Sequence, residues 1–230
     1  MYLRVYIFSG LGVDERAFKN INFYDLDVTH VDCIEQLKNE SLTEHAKRIS
    51  SVITVENPIL IGLSFGGMVA VEIAKIMNVE KLILISSAKT KNELSMSSRI
   101  SGKLKLMKLI PEKAFKESNI ITNSLFGAKT EEEKRFLYEI LADTNQDFLQ
   151  WALLEMARWN NTVKPKHFFH IHGTKDRIIP IRNVEATHLI KNGGHLMVLN
   201  RAKEIEEIIL KILSTKQCKE AQQVDTTSNL

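Results

Sequence analysis

The chain reads as an α/β protein, a doubly wound and mostly parallel sheet of about six strands with helices on both faces. Three observations lead there. Short apolar runs alternate with helical periodicity along the first 88 residues and again after residue 164. Two of the strand-like runs, Pro58-Ile59-Leu60-Ile61 and Lys81 to Ser86, are apolar without alternation, as strands covered on both faces are. Finally, of only 10 glycines, eight (Gly10, Gly12, Gly62, Gly66, Gly67, Gly173, Gly193, Gly194) fall in four loops, each directly after a strand-like run. A protein sparing of glycine has placed it where backbones turn tightly or approach a ligand.

In order, Tyr2 to Phe8 predicts a buried first strand running into Ser9-Gly10-Leu11-Gly12. Asp14 can cap a short helix reaching Ile21, Leu26 to Cys33 reads as a strand, and Ser41 to Val55 is helical with Ser41 or Thr43 as its cap. The run ending at Ile61 leads into Gly62-Leu63-Ser64-Phe65-Gly66-Gly67 and then a helical pattern from Met68 to Met77. Glycines two residues to either side of Ser64 allow the sharp strand-to-helix turn that pushes a serine hydroxyl out above a sheet, the layout of a nucleophile elbow. The bland alternative is a turn whose glycines serve only helix-to-sheet packing. Further on, His167 to Ile171 and Ala186 to Ile190 read as strands. Asp176 lies in the loop after the first of them and His195 in the loop after the second, giving the chain order Ser64, Asp176, His195.

With these three motifs the sequence resembles the α/β-hydrolase family, as a small member similar to serine esterases and thioesterases, over about residues 2 to 213. The resemblance implies Ser64 as nucleophile, His195 as general base and Asp176 as the acid that orients it. It implies an oxyanion hole from the backbone N–H groups of Leu11 and Phe65, although many relatives carry His-Gly where this chain has Ser9-Gly10, and Gly10 and Gly12 could merely make a turn. The implied activity is hydrolysis of a carboxylic ester or thioester through an acyl-enzyme, with no cofactor. A cofactor-free lyase or C–C bond hydrolase on the same fold, and a catalytically silent ligand-binding protein, are the alternatives; the intact set of three residues speaks against the last.

Strand-helix alternation stops over 89–164, where helical patterns run from Ser97 to Leu109, Pro111 to Ser118, Glu131 to Leu141 and Gln146 to Trp159. By position in the family this is a helical cap over the nucleophile, inserted into a core made of 1–88 and 165–215. Met107, Leu125, Phe126, Trp151 and Trp159 are candidates to line its pocket, or to pack between its helices. A basic run that starts at Lys89 and continues to Lys116 could steer an anionic substrate, and a solvated helix face explains it as well.

Composition bounds the rest. The 230 residues suffice for one good core, and 44% hydrophobic with 26% charged residues is ordinary globular composition. A net charge of +3 gives no footprint for nucleic acid. Cys33 and Cys218 are too few for a disulfide framework, Met1 leads straight into a strand rather than a signal peptide, and no apolar run reaches the roughly 20 residues of a membrane helix. These point to a cytoplasmic protein acting on a small molecule. His167, His170 and His172 lack a nearby Cys or carboxylate at ligand spacing, so they are expected to support the sheet or the Asp176 loop rather than bind metal. The polar stretch 216–230 reads as a disordered tail.

Overall fold

Side chains alternate across a strand, so an unbroken apolar run needs cover on both sides. In the computed structural model, which describes residues 4–24, 26–31, 34–94 and 120–215, the runs ILIGL and KLILI form β3 (Ile59–Leu63) and β4 (Lys81–Ile85), buried at every position. With β1 (Arg4–Phe8), β2 (Asp27–Val31), β5 (Phe168–Gly173) and β6 (His188–Ile190) they make a six-stranded sheet in the order β2-β1-β3-β4-β5-β6, parallel at every pairing. The edge strand β6 has only three residues, fewer than its sequence pattern; β2 begins at Asp27 rather than Leu26, and positions 32 and 33 of the expected second strand lie outside the described residues.

Two apolar layers follow from the alternation. Val5, Ile7, Ile59, Ile61, Ile83 and Ile85 point to one face, under Phe18 and under Ile205, Ile209 and Ile212 of the C-terminal helix Ala202–Ser214. Tyr6, Phe8, Leu60, Leu82 and Leu84 point to the other, under the helices α1 (Leu42–Ile49) and α2 (Phe65–Ile76). Ser41 rather than Thr43 caps α1, in a reciprocal capping box with Glu44. Asp14 caps a single 3-10 turn, Glu15–Phe18.

Between β4 and β5 the described residues hold a 3-10 turn, Lys91–Glu93, and three α-helices: α3 (Ile120–Phe126), α4 (Glu131–Asp143) and α5 (Gln146–Arg158). The expected helices at 97–109 and 111–118, with Met107, lie outside the described residues, as does 216–230. Phe136, Leu137 and Ile140 of α4 join the layer of the C-terminal helix, whereas Phe148 and Ala152 of α5 join that of α1 and α2. The helices of this segment therefore straddle the sheet. The chain leaves β1 toward β2 on one side and returns to β3 on the other. The carboxyl ends of β1 and β3 thus border the crevice that such a reversal opens.

Candidate active site

Ser64 follows β3 directly, at that reversal. Its backbone sits at φ 51° and ψ −118°, a conformation that costs on the order of 1–3 kcal/mol for a residue with a side chain. The backbone around it is packed tightly. A Cβ on Gly62 would lie 2.3 Å from the Gly67 Cα, and one on Gly66 would lie 2.3 Å from the carbonyl oxygens of Phe8 and Ser9. Strand and helix backbones therefore approach as closely as glycine allows. The turn is held by the Ser64 N–H donating to the Ile85 carbonyl at 2.9 Å and by the Ser87 hydroxyl donating to the Ser64 carbonyl at 2.6 Å.

Asp176 and His195 reach the same place from the loops after β5 and β6. The Ser64 Oγ is 2.9 Å from His195 Nε2, and His195 Nδ1 is 2.8 Å from Asp176 Oδ2. The other carboxylate oxygen, Oδ1, accepts from the Ile178 and Ile179 amides, each at 2.9 Å. Burial would raise the Asp176 carboxyl, but the facing His195 imidazole, its hydrogen bond, the Ile179 amide and His172 together hold it below the usual carboxylate range. An ionised carboxylate only accepts, so Nδ1 of His195 carries a proton, and in the neutral imidazole Nε2 is then the bare nitrogen facing the serine hydroxyl. Asp176 and His195 are buried, while Ser64 is partly open.

The His195 loop is also gripped from the inserted segment. The Leu196 N–H donates to the Phe126 carbonyl at 2.9 Å, and the Phe126 ring meets the imidazole edge-on with centroids 5.7 Å apart. Gly127 at φ 78° abuts Gly194, whose added Cβ would lie 3.1 Å from the Gly127 Cα. Of the other aromatic candidates in this segment, Trp159 is buried with its Nε1–H donating to Glu72 at 2.8 Å, and Trp151 donates to the Glu40 carbonyl at 2.7 Å beside Phe65 and Phe148. Leu125 is exposed.

Phe65 opens α2, so its N–H has no intrahelical acceptor. Leu11 sits in the turn closed by Val13 N–H to the Gly10 carbonyl, and a Cβ on Gly10 would lie 3.2 Å from the Ser64 Cβ. Of the two residues implied for the oxyanion hole, Phe65 thus follows the serine directly and Leu11 follows Gly10, which packs against it.

Lys89 departs from the sequence reading. Placed there at the head of a solvated basic run, it is wholly buried and paired with Glu93, four residues on. That spacing was the available signal. Among the described residues no group of three or more His, Cys, Asp and Glu side chains could hold a metal ion. No helix among them is long and apolar enough to cross a membrane.

The model of the alpha/beta hydrolase family matches residues 3–208. No curated protein matches the chain in sequence. Among solved structures, MenH from S. aureus aligns with a TM-score of 0.68 at 17% identity, covering 92% of this chain and 93% of that one. An esterase from Thermogutta terrifontis aligns at 0.66 and 15%, covering 92% and 89%. A meta-cleavage product hydrolase from Pseudomonas fluorescens IP01 aligns at 0.63 and 16%, covering 92% and 90%. Likeness at such identities is likeness of fold, and it agrees with the match along the sequence: the chain belongs to the alpha/beta hydrolase family.

Proposed function

We propose that the protein is a serine hydrolase that cleaves a carboxylic ester or thioester through an acyl-enzyme on Ser64. The observation that carries this reading is the continuous line of hydrogen bonds from Ser64 Oγ to His195 Nε2 at 2.9 Å and from His195 Nδ1 to Asp176 at 2.8 Å. A neutral hydroxyl is a poor nucleophile, and the bare Nε2 takes its proton as Oγ attacks the acyl carbon. The imidazolium so formed is stabilised by Asp176 and returns the proton to the departing alcohol or thiol. Water, deprotonated by the same nitrogen, then attacks the acyl carbon and releases the acid from Ser64. The developing oxyanion is assigned to the N–H groups of Leu11 and Phe65, where loss of one donor costs about a hundredfold to a thousandfold in comparable sites. No cofactor takes part. The helices between β4 and β5 act as the cap that limits water and shapes the acyl pocket.

Turnover of short activated aryl esters and acyl thioesters by the purified protein tests the reading. We expect hydrolysis well above buffer, falling by at least about 10⁴-fold in Ser64→Ala. A folded protein that turns over no member of such a panel would contradict it.

A further inference from the structure

Behind Asp176 lies a row of buried titratable side chains that the proposed reaction leaves unused. His172 and His170, both on β5, and Lys89, beyond β4, are each 0% exposed. His172 Nε2 is 2.8 Å from the Ile179 carbonyl, which can only accept, so Nε2 carries a proton. Burial pushes the His172 imidazole down, against the pull of Asp176, and keeps it neutral, so its Nδ1 is bare. The atom facing that bare nitrogen at 3.3 Å is His170 Nε2, and a hydrogen bond between the two needs Nε2 as the donor. Burial, with His172 and Lys89 adding to it, drives His170 well below its ordinary value despite the nearby Ser87 carbonyl. A neutral His170 protonated on Nε2 has a bare Nδ1, and the Lys89 Nζ stands 3.3 Å from it. The lysine ammonium has three protons and meets three acceptors: His170 Nδ1, the Glu185 carbonyl at 2.8 Å and the Glu93 carboxylate.

We propose that Lys89, His170 and His172 form a one-way hydrogen-bonded chain that locks the tautomer of His172 and, through the backbone of Ile179, holds Asp176 in position. This rests on the reading of Ser64, His195 and Asp176 as a catalytic set. The three residues touch no reacting atom and are positioning residues. Every donor in the chain points from Lys89 toward the Asp176 loop. The Ile179 backbone is the link, because the residue's carbonyl is held by His172 while its N–H, in the preceding peptide group, donates to Asp176 Oδ1 at 2.9 Å. His172 Nε2 also lies 3.6 Å from Asp176 Oδ2, too far for a hydrogen bond but close enough for its N–H to favour the carboxylate. Reversing the chain would set a bare nitrogen against the Ile179 carbonyl, depriving that acceptor of its His172 donor, and would turn a lone pair toward the carboxylate.

The test has two readouts on the full-length protein. In long-range ¹H–¹⁵N spectra of ¹⁵N-histidine-labelled wild type, His170 and His172 should both be neutral Nε2–H tautomers at and above about pH 7. An Nδ1–H tautomer or a charged ring at either position in that range overturns the proposal. Separately, fluorophosphonate labelling of Ser64 should slow about ten- to a hundredfold in His172→Phe, the usual range for losing a supporting partner, and recover in part in His172→Gln, whose amide can donate to Ile179. Labelling of folded His172→Phe at the wild-type rate also overturns it. If His172→Phe does not fold, the spectra alone decide. If wild type itself is not labelled, the proposed function fails, and the tautomers still judge the chain.

Discussion

Gly66 has no room for a methyl group, because the carbonyls of Phe8 and Ser9 would stand 2.3 Å from it. Gly66→Ala should therefore push β1 away from α2, costing about 1–3 kcal/mol in urea unfolding and lowering the proposed esterase activity by more than that loss of folded protein explains. The need was legible: glycine two residues before and after a serine, between an apolar run and a helical pattern, states that backbones meet there. Ser64, Asp176 and His195 could be singled out for a similar reason, since each follows a strand-like run. The Glu93 spacing hints at a partner for Lys89 but does not place it inside, because its burial is decided by groups distant in sequence, His170, the Glu185 carbonyl and the Phe168 ring that its Nζ overlies at 5.1 Å. The same holds for Thr144, which lies where a side chain on Gly12 would go.

Helix α1 owes its start to Ser41, whose hydroxyl accepts from the Glu44 N–H, so Ser41→Ala should destabilise the protein by about 1 kcal/mol. Just before it, the buried Glu40 accepts from Arg48 at 2.7 Å and faces His45. The Arg48 hydrogen bonds, with the Leu37 amide and His45 assisting against burial, bring the Glu40 carboxyl from 4.5 down to about 2. A carboxyl depressed by folding adds stability above its unfolded value, and that contribution drains as pH falls through the folded one. Urea midpoints should therefore drop between about pH 4.5 and 2, and Glu40→Gln should flatten that part of the profile. Helical periodicity located α4 and α5 to within a few residues because both carry long side chains on one apolar face. The start of α2 was placed three residues late, since Gly66 and Gly67 are poor helix formers that only packing makes helical. Helix α3, IITNSLF, was missed because β-branched residues, Asn and Ser hide a two-turn helix. Its end is exacting: Gly127→Ala, at φ 78°, should cost about 1–2 kcal/mol and loosen the grip of Phe126 on the His195 loop, seen as slower labelling of Ser64.

The molecule brings the loops after β1, β3, β5 and β6 to one end of a single parallel sheet, where the strand order reverses between β1 and β3. Alternation of strand and helix was enough to read the sheet and the end at which its loops gather. It could not show that α4 and α5 belong to opposite apolar layers, which depends on tertiary packing alone. That arrangement predicts one cooperative unit: tryptophan fluorescence, which reports Trp151 and Trp159 in and after α5, and far-ultraviolet dichroism should give the same urea midpoint. Two separated transitions would mean that the inserted helices unfold on their own. The central claim, an activated serine at position 64, is tested most directly by fluorophosphonate labelling read by intact mass on wild type and Ser64→Ala. The account predicts one adduct on wild type and none on the variant; a folded wild type that takes no adduct, or a variant labelled equally well, would contradict it.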